Sequence, residues 1–441
     1  MTTPRDTEVQ PPAQQPPVET DETAELAALS EAEIEVTAGS LGEYLRAWGK
    51  RVRAGESGVL PVLVGLVIII VIFQTQQSLF LSAGNLTLLL QQAAVVVLLG
   101  MAEVYVLLLG EIDLSVGFVG AIGGTITVIL SSTPHNYPWW LAILAGLAAT
   151  AVIGAFQGWL ITRLRLPSFV VTLAGLLGWQ GVLLVLINEA GGSSGGTISI
   201  SNNVILGIVN ANMSTLAGWL ALGGCVVVFA AVTVLGHRSR RRSGLSTAPF
   251  SLAVLKIVLF AVAGIILVVV CNTNRGVTIP LSGVPYVVPV VLAILLAWTV
   301  LLSRTRFGRY VYAIGGNAEA ARRAGINVSR IRLACFVLCS MTGGMGGIVY
   351  ASRLGSMSNN VNGGQLVLFA VAAAVIGGTS LFGGRGKMLH ALLGGLIIAT
   401  IANGMGLIGL DAPTQLIVTA LVLLAAVIVD AVARRNQSVT A

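Results

Sequence analysis

The stretch from Leu86 to Leu109, LTLLLQQAAVVVLLGMAEVYVLLL, decides the fold class of this chain. Glu103 is its single charged residue, and a helix of this length crosses the hydrocarbon core of a bilayer, which takes about 20 apolar residues. Between Gly58 and Val432 the chain contains eleven further windows of the same kind. The pattern predicts an all-α, polytopic integral membrane protein of about twelve transmembrane helices, with broken helices possible among them.

The composition agrees with a chain that lies mostly in lipid. Of its 441 residues, 55% are hydrophobic and 10% are charged, and eleven of the 18 acidic residues occur at or before Glu56. A water-soluble domain needs a denser coat of charge. The net charge of +7 comes from basic clusters between apolar segments, which indicates membrane topology and argues against nucleic-acid binding. The four cysteines and three histidines are scattered, so we expect neither a metal centre nor a disulfide framework.

Three regions follow from the distribution of apolar residues. Residues 1–42 are rich in Pro, Gln, Glu and Thr, a composition that predicts a disordered acidic tail on the cytoplasmic side. Residues 43–57 place Tyr44, Leu45 and Trp48 on one helical face and basic side chains elsewhere, which indicates an amphipathic helix beside the membrane. Residues 58–434 form the predicted membrane domain.

The basic residues also predict the orientation of this domain. With a cytoplasmic N-terminus and twelve spans, 22 of the 25 Lys and Arg residues fall in cytoplasmic segments. Loops that carry Lys and Arg stay on the cytoplasmic side because these residues are difficult to translocate. Both chain termini are therefore expected in the cytoplasm.

Carboxylates inside the membrane are candidates for function because they are costly to bury. Glu103 lies within the second predicted span, and Glu111 and Asp113 follow in the interval GEIDLSVG. One interpretation is a broken helix that lines a polar cavity. The alternative places Glu111 and Asp113 at an interface, with Asp113 or Ser115 capping the third helix.

Several amides also fall within predicted spans. Gln91 and Gln157 belong to this group, and Gln92, Gln180 and Asn403 are the amides chosen as candidates for a translocation pathway, beside Glu103 and Asp113. Amides in membrane helices often bridge neighbouring helices by hydrogen bonds, and this interpretation stays open for each of them.

The sequence offers no energy-coupling or catalytic motif of its own. The segment GGRGKM at Gly383–Met388 lacks the leading Gly and the final Ser or Thr of a phosphate-binding loop. We therefore expect no catalytic residues and no cofactor, and ATP would have to be hydrolysed by another chain.

Residues 303–333 form the longest cytoplasmic segment after the tail. Ala318–Arg323 are strong helix formers, Asn317 is suited to cap the helix and Gly325 to end it. A short helix at this position is a candidate docking element, and a solvated connector is the alternative.

Five blocks in order along the chain resemble the bacterial sugar ABC transporter permeases of the ribose, galactose and xylose type. The blocks are GEIDLSVG at Gly110–Gly117, LPSFVVTLAGLLGWQG at Leu166–Gly181, AIGGNAEAARRAGINVSRIR at Ala313–Arg332, AVIGGTSLFGGRG at Ala374–Gly386 and NGMGLIGL from Asn403. The additional spans around Arg238 to Val270 are similar to the xylose-type branch.

The resemblance implies a permease subunit in the bacterial cytoplasmic membrane that imports a monosaccharide by alternating access. It implies cytoplasmic ABC ATPase subunits, an extracytoplasmic sugar-binding protein and a second permease copy as partners. The third block would be the coupling loop that contacts the ATPase through Gly315, Gly316, Asn317, Glu319, Ala321, Arg322 and Gly325. The rival hypothesis is a proton-coupled secondary transporter that uses Glu103, Glu111 and Asp113 as its relay.

Overall fold

The computed structural model describes residues 60–191, 196–242, 249–276 and 280–438, together with the isolated positions 42 and 46. The predicted acidic tail and the predicted amphipathic helix of residues 43–57 lie outside these ranges, apart from the two isolated positions. The described residues form fifteen helices and two short strands. In chain order they are α1 Leu60–Gln76, α2 Ala83–Leu107, α3 Val116–Ser131, α4 Trp139–Arg163, α5 Ser168–Gly191, β1 Thr197–Ser199, α6 Asn203–Asn210, α7 Thr215–Arg242, α8 Phe250–Asn272, α9 Val287–Arg304, α10 Arg306–Gly316, α11 Ala318–Arg323, α12 Val328–Leu354, β2 Ser356–Ser358, α13 Gly363–Ile376, α14 Met388–Leu407 and α15 Ala412–Ser438.

The helices confirm the predicted all-α, polytopic fold. Among the described residues, α2, α4, α5, α7, α8, α9, α12 and α14 are long and apolar enough to cross a membrane, and α1, α3, α13 and the first part of α15 are shorter apolar helices. They lie at the twelve apolar windows of the sequence. The apolar segment from Leu366 to Leu381 is helical only in its first part, since α13 ends at Ile376 and Gly378 adopts a φ of +112°.

The larger of two compact units comprises Gly58–Val227 and Phe260–Ala441, and α2 lies at its centre. Every residue from Ala93 to Leu109 is buried. Helix α2 contacts α12, α13 and α14, and α12 also contacts α3 and α4. A helix that is apolar on all sides must be enclosed by other helices or by lipid, and α2 is enclosed by helices.

Glycines bring α3 and α12 into backbone contact. A Cβ atom added at Gly120 would stand 2.5 Å from the carbonyl oxygen of Gly343, and one added at Gly124 would stand 2.5 Å from that of Gly347. Neither position has room for a side chain. Close helix packing, which small residues permit in membrane proteins, therefore accounts for these glycines.

The second compact unit includes Val228–Leu259, and its described part holds the end of α7 and the beginning of α8. There the ring of His237 lies 5.6 Å from the ring of Phe250.

A two-stranded sheet and the short helix α6 lie near the C-terminal ends of α5 and α12. Strands β1 and β2 pair antiparallel with Ile198 opposite Met357, and both of these side chains are buried. The side chain of Asn202 caps α6 by accepting hydrogen bonds from two backbone N–H groups. Ser352 Oγ accepts a hydrogen bond from Val209 N at 3.0 Å and so attaches α6 to α12. These strands were not predicted from the sequence.

Candidate functional site

The predicted coupling helix is present as α11. Asn317 Oδ1 accepts a hydrogen bond from Ala320 N at 2.9 Å, and Gly325 ends the helix with a φ of +82°. The N-cap and the stop signal therefore act as the sequence predicted. The preceding helix α10 begins in the same way, since Thr305 Oγ1 accepts from Gly308 N at 3.3 Å.

Helix α11 has one buried side and one charged side. Ala321 is 5% exposed and packs against the membrane helices. On the outer side, Glu319 forms ion pairs with Arg322 at 2.8 Å and Arg323 at 3.3 Å, and all three side chains are exposed. Such exposed pairs add little stability, so this surface is free to change partners.

Two loops, residues 108–115 and 383–386, meet the C-terminal end of helix α10, residues 312–316. We call these three segments together the three-loop cluster. Gly384 N donates to Leu108 O at 2.9 Å, and the Tyr312 hydroxyl donates to Gly386 O at 2.7 Å. Gly315 lies so close to Leu108 O that a Cβ atom would collide with it. Burial raises the pKa of the Tyr312 phenol, which therefore stays protonated and keeps donating at neutral pH.

An ion pair joins this cluster to the beginning of α12. Arg332 pairs with Glu111, whose side chain is 5% exposed whereas that of Arg332 is 37% exposed. Since α12 is the next helix after α11 along the chain, the ion pair attaches Glu111 to the helix that follows α11.

A chain of hydrogen bonds extends from the three-loop cluster into the membrane helices. The backbone N–H and the hydroxyl of Ser115 donate to Asp113 Oδ1 at 2.9 and 2.6 Å. Gln157 Nε2 donates to Ser115 Oγ at 2.8 Å, and Cys339 Sγ donates to Asp113 Oδ2 at 3.7 Å. All four side chains are buried. Ser115 is the N-cap residue of α3, the position that the capping alternative gave it, but its side chain makes no capping hydrogen bond.

Glu103 lies in the buried part of α2. It has no exposed surface, and neither carboxyl oxygen has a hydrogen-bond partner among the described residues. The interval between α2 and α3 contains Gly110 at a φ of +76° and joins two separate helices. The interpretation as a broken helix and the interpretation as an interface between two helices both stay predictions.

The amide candidates are dispersed. Asn403 and Asn85 exchange two hydrogen bonds at 2.9 and 3.0 Å and thereby join α14 to α2. Asn85 is 18 residues from Glu103 along α2, or about 27 Å at 1.5 Å per residue. Gln92 is half-buried on α2, and Gln180 is exposed on α5. The structure therefore brings Asp113 together with Gln157 but leaves Asn403 at the far end of α2.

Four residues of this region were not predicted from the sequence as parts of a site: Tyr312, Arg332, Cys339 and Ser115, the last of which was considered only as a helix cap. Ser115 and Arg332 stand within the quoted blocks, and Cys339 is four residues from Cys335, a spacing that places both on one face of a helix. The sequence thus indicated that Cys335 and Cys339 share a helix face, but it did not indicate that this face contacts Asp113.

Comparison with protein families identifies residues 85–427 as a match to a model described as "Branched-chain amino acid transport system / permease component". The matched range begins at the first turn of α2 and ends within α15. It contains the three-loop cluster, α10, α11 and the buried polar residues described above.

Named relatives match over nearly the same range. The chain is 35% identical to the xylose transport system permease protein XylH of Haemophilus influenzae over 377 residues, which cover 84% of this chain and 96% of that protein. It is 35% identical to XylH of Escherichia coli K12, covering 85% and 92%. It is 31% identical to the ribose import permease protein RbsC of Escherichia coli K12, covering 83% and 92%. No solved structure matches.

Proposed function

The chain belongs to the family of branched-chain amino acid transport system permease components, and we propose that it is the membrane subunit of an ATP-driven importer of a monosaccharide. The observation that carries the proposal is its 31% to 35% identity, over 83% to 85% of its length, with permeases named for ribose and xylose. The higher identity to the xylose permeases favours a xylose-like substrate. As a permease subunit, the chain is not itself catalytic.

The coupling helix α11 is the proposed contact for the ATPase. Its exposed charges at Glu319, Arg322 and Arg323 are held only by surface ion pairs, which a partner can exchange at little cost. Its buried side at Ala321 and the adjoining Gly315 rest on the membrane helices. ATP-driven closure of two ATPase subunits would therefore push on a short, capped helix and move the three-loop cluster beneath it.

The remaining partners follow from orientation. The basic segments of the sequence support cytoplasmic termini and a cytoplasmic coupling loop in a bacterial inner membrane. The strand pair and α6 then lie on the outer side, where a sugar-binding protein would dock. A second copy of the permease would complete the pathway, and the exposed face of α5, with Gln180, is available for that purpose. Pathway roles stay predictions for Gln92, Glu103, Asp113, Gln180 and Asn403.

The proton-coupled alternative required Glu103, Glu111 and Asp113 to act as a relay. Glu111 is instead paired with Arg332, and Asp113 accepts three hydrogen bonds. These contacts favour a structural role for the carboxylates of Glu111 and Asp113 over a role in a proton relay. Membership of a permease family whose sugar-transporting relatives match most of the chain favours ATP as the energy source.

The two energy sources can be separated in proteoliposomes. The permease would be reconstituted with its ATPase and binding protein, and uptake of labelled D-xylose measured with ATP enclosed with the ATPase. We expect uptake that requires ATP and the binding protein and continues when a protonophore removes the proton gradient. Uptake that continues without ATP and stops with the protonophore would overturn the proposal.

A further inference from the structure

A cavity of about 330 Å³ lies between α2, α7, α8, α9 and α14, and all the residues that line it belong to the larger compact unit. Its walls are almost entirely apolar, as at Ala93, Val97, Leu222, Leu267 and Val288. Burying a polar molecule in such surroundings is costly because its hydroxyl groups would find no partners. The cavity is therefore suited to an apolar ligand and not to a sugar.

Helices α7 and α8 leave this cavity open to the membrane. Among the described helices that are long enough to cross a membrane, these two have the smallest buried fraction. Ala263 of α8 belongs to the cavity wall and is exposed, so the protein encloses the cavity only in part. Lipid tails are as apolar as leucine side chains and are present at high concentration beside such an opening. An acyl chain therefore matches both the walls and the opening.

The cavity extends to the depth of one leaflet. Gly218 and Cys225 line it three and ten residues after α7 begins at Thr215, or about 5 and 15 Å along the helix axis at 1.5 Å per residue. Half of a hydrocarbon core of about 30 Å is about 15 Å. The cavity thus has the length of an acyl chain of a single leaflet, which is the outer leaflet in the orientation proposed above.

An arginine lies beside the outer end of the cavity. Arg275 Nη2 donates to Gly283 O at 3.1 Å, and Arg275 Nη1 donates to Cys271 O. Gly283 precedes Val284 of the cavity wall, and Cys271 packs in one apolar cluster with Val284. Arg275 is partly exposed and forms no ion pair with an acidic residue in the part of the chain that the structure describes. Since a guanidinium carries five N–H donors, Arg275 retains donors for an anion.

We infer that this cavity binds one phospholipid of the outer leaflet, whose acyl chain occupies the space between the helices and whose phosphate accepts hydrogen bonds from Arg275. One molecule then satisfies both the apolar walls and the unneutralised cation at their outer end. An anionic lipid such as phosphatidylglycerol fits this charge better than phosphatidylcholine, whose headgroup carries a cation of its own. The lipid fills the space between the central helix α2 and the two least buried helices, α7 and α8.

The first test fills the cavity with a side chain. Ala263→Phe places a ring in the wall, and Ala293→Phe is the matched control, since Ala293 is exposed on α9 outside the wall. Native mass spectrometry would count the lipids that stay bound when the permease is released from nanodiscs of phosphatidylglycerol and phosphatidylcholine in equal parts. We expect Ala263→Phe to retain one lipid fewer per copy than the unchanged chain, and Ala293→Phe to retain the same number. Equal numbers in all three proteins would overturn the inference.

Arg275→Gln tests the contact with the phosphate. In the same experiment, the ratio of phosphatidylglycerol to phosphatidylcholine in the most tightly bound lipid should fall about tenfold, the effect of losing one charge-assisted hydrogen bond. Arg275→Lys retains the charge and should retain most of this preference. An unchanged ratio in Arg275→Gln would contradict the assigned headgroup site.

Photolabelling tests the cavity in the unchanged chain, so its result does not depend on the folding of a variant. Phosphatidylglycerol with a diazirine in its acyl chain would be added to the nanodiscs at increasing mole fraction. Labelling of residues 218–225 should saturate at a low mole fraction because the site is specific. Labelling of the exposed face of α9 at Leu296 should rise in proportion to the added lipid. The same proportional rise at both places would contradict a specific site.

A second copy of the chain is the rival occupant, and Cys225 distinguishes it from a lipid. Cys225 is partly exposed in the cavity wall, whereas the other three cysteines are buried. We expect a short bis-maleimide to form no cross-linked dimer through Cys225 in membranes. Efficient cross-linking there would show that a second copy covers the cavity, and the lipid assignment would then be wrong.

Discussion

Arg332, in the second turn of α12, forms an ion pair with Glu111, which follows α2. The side chain of Glu111 is only 5% exposed to solvent. The two residues are far apart in sequence, and their pairing connects the segment after the coupling helix to the turn between α2 and α3. Removing one partner would leave a buried charge without compensation.

Arg332→Met should therefore lower the free energy of unfolding by about 2–3 kcal/mol, somewhat less than for a fully buried pair because Arg332 is partly solvated. Thermal unfolding of the purified protein in detergent measures the loss. Arg330→Met, at an exposed position two residues earlier, is the control. The double variant Glu111→Gln with Arg332→Met should recover part of the stability, and no recovery would contradict the assigned pairing.

Tyr312→Phe tests the hydrogen bond to Gly386. We expect a loss of about 1 kcal/mol in stability and a lower number of sugars transported per ATP, because α10 is then less firmly attached to the three-loop cluster. Tyr310→Phe is the control, since Tyr310 is exposed on the same helix. Equal transport stoichiometry in both variants would show that this hydrogen bond does not contribute to coupling.

Ala321→Pro tests the coupling helix. It removes the hydrogen bond from Ala321 N to Asn317 O and costs about 3 kcal/mol in a helix interior. The variant should insert in the membrane but lose association with the ATPase, which co-purification measures. Ala318→Pro is the matched control, because proline is tolerated at the first helical position and the preceding Asn317 is already extended. Normal uptake and normal co-purification of Ala321→Pro would remove α11 from the coupling role.

The stop signal of the same helix has its own test. Gly325→Val places a β-branched residue at a φ of +82°, where it is strained although no neighbouring atom obstructs it. We expect reduced coupling with little change in the stability of the membrane helices. Gly325→Asn, which adds a side chain at the same open position but tolerates a positive φ, separates strain from bulk.

The contact between α3 and α12 predicts a large effect from a small substitution. Gly347→Ala would drive a methyl group into the carbonyl of Gly120 and should destabilise the protein by about 1–3 kcal/mol through overpacking. Gly181→Ala has open space and should be close to neutral. Similar melting temperatures for the two variants would show that α3 and α12 can move apart to accommodate the methyl group without loss of stability.

Features set by neighbours in sequence could be predicted well. The apolar windows predicted the spans, and Asn317 and Gly325 predicted α11, because caps and stops depend on the local backbone. The short strands β1 and β2 could not be predicted in this way, since an alternation of polar and apolar residues over only three positions is too short a pattern.

The candidate site was predicted less completely, for a physical reason. Asn403 and Gln157 are both amides in apolar helices, and the sequence cannot say that Asn403 finds Asn85 whereas one oxygen of Gln157 finds no partner. Pairing across helices depends on which faces meet. The meeting of Leu108, Tyr312 and Gly386 in the three-loop cluster is likewise a consequence of packing between distant segments.

The backbone contact of α3 with α12 also limits how the transporter can move. Two helices whose glycines touch carbonyl oxygens cannot rotate against each other without collision, so they must travel as one rigid body. Relative motion is then left to elements held by side chains alone, such as α5, whose buried residues are few. The hinge of any inward-to-outward cycle would therefore lie beside α5, and the paired glycine helices would act as the lever arm.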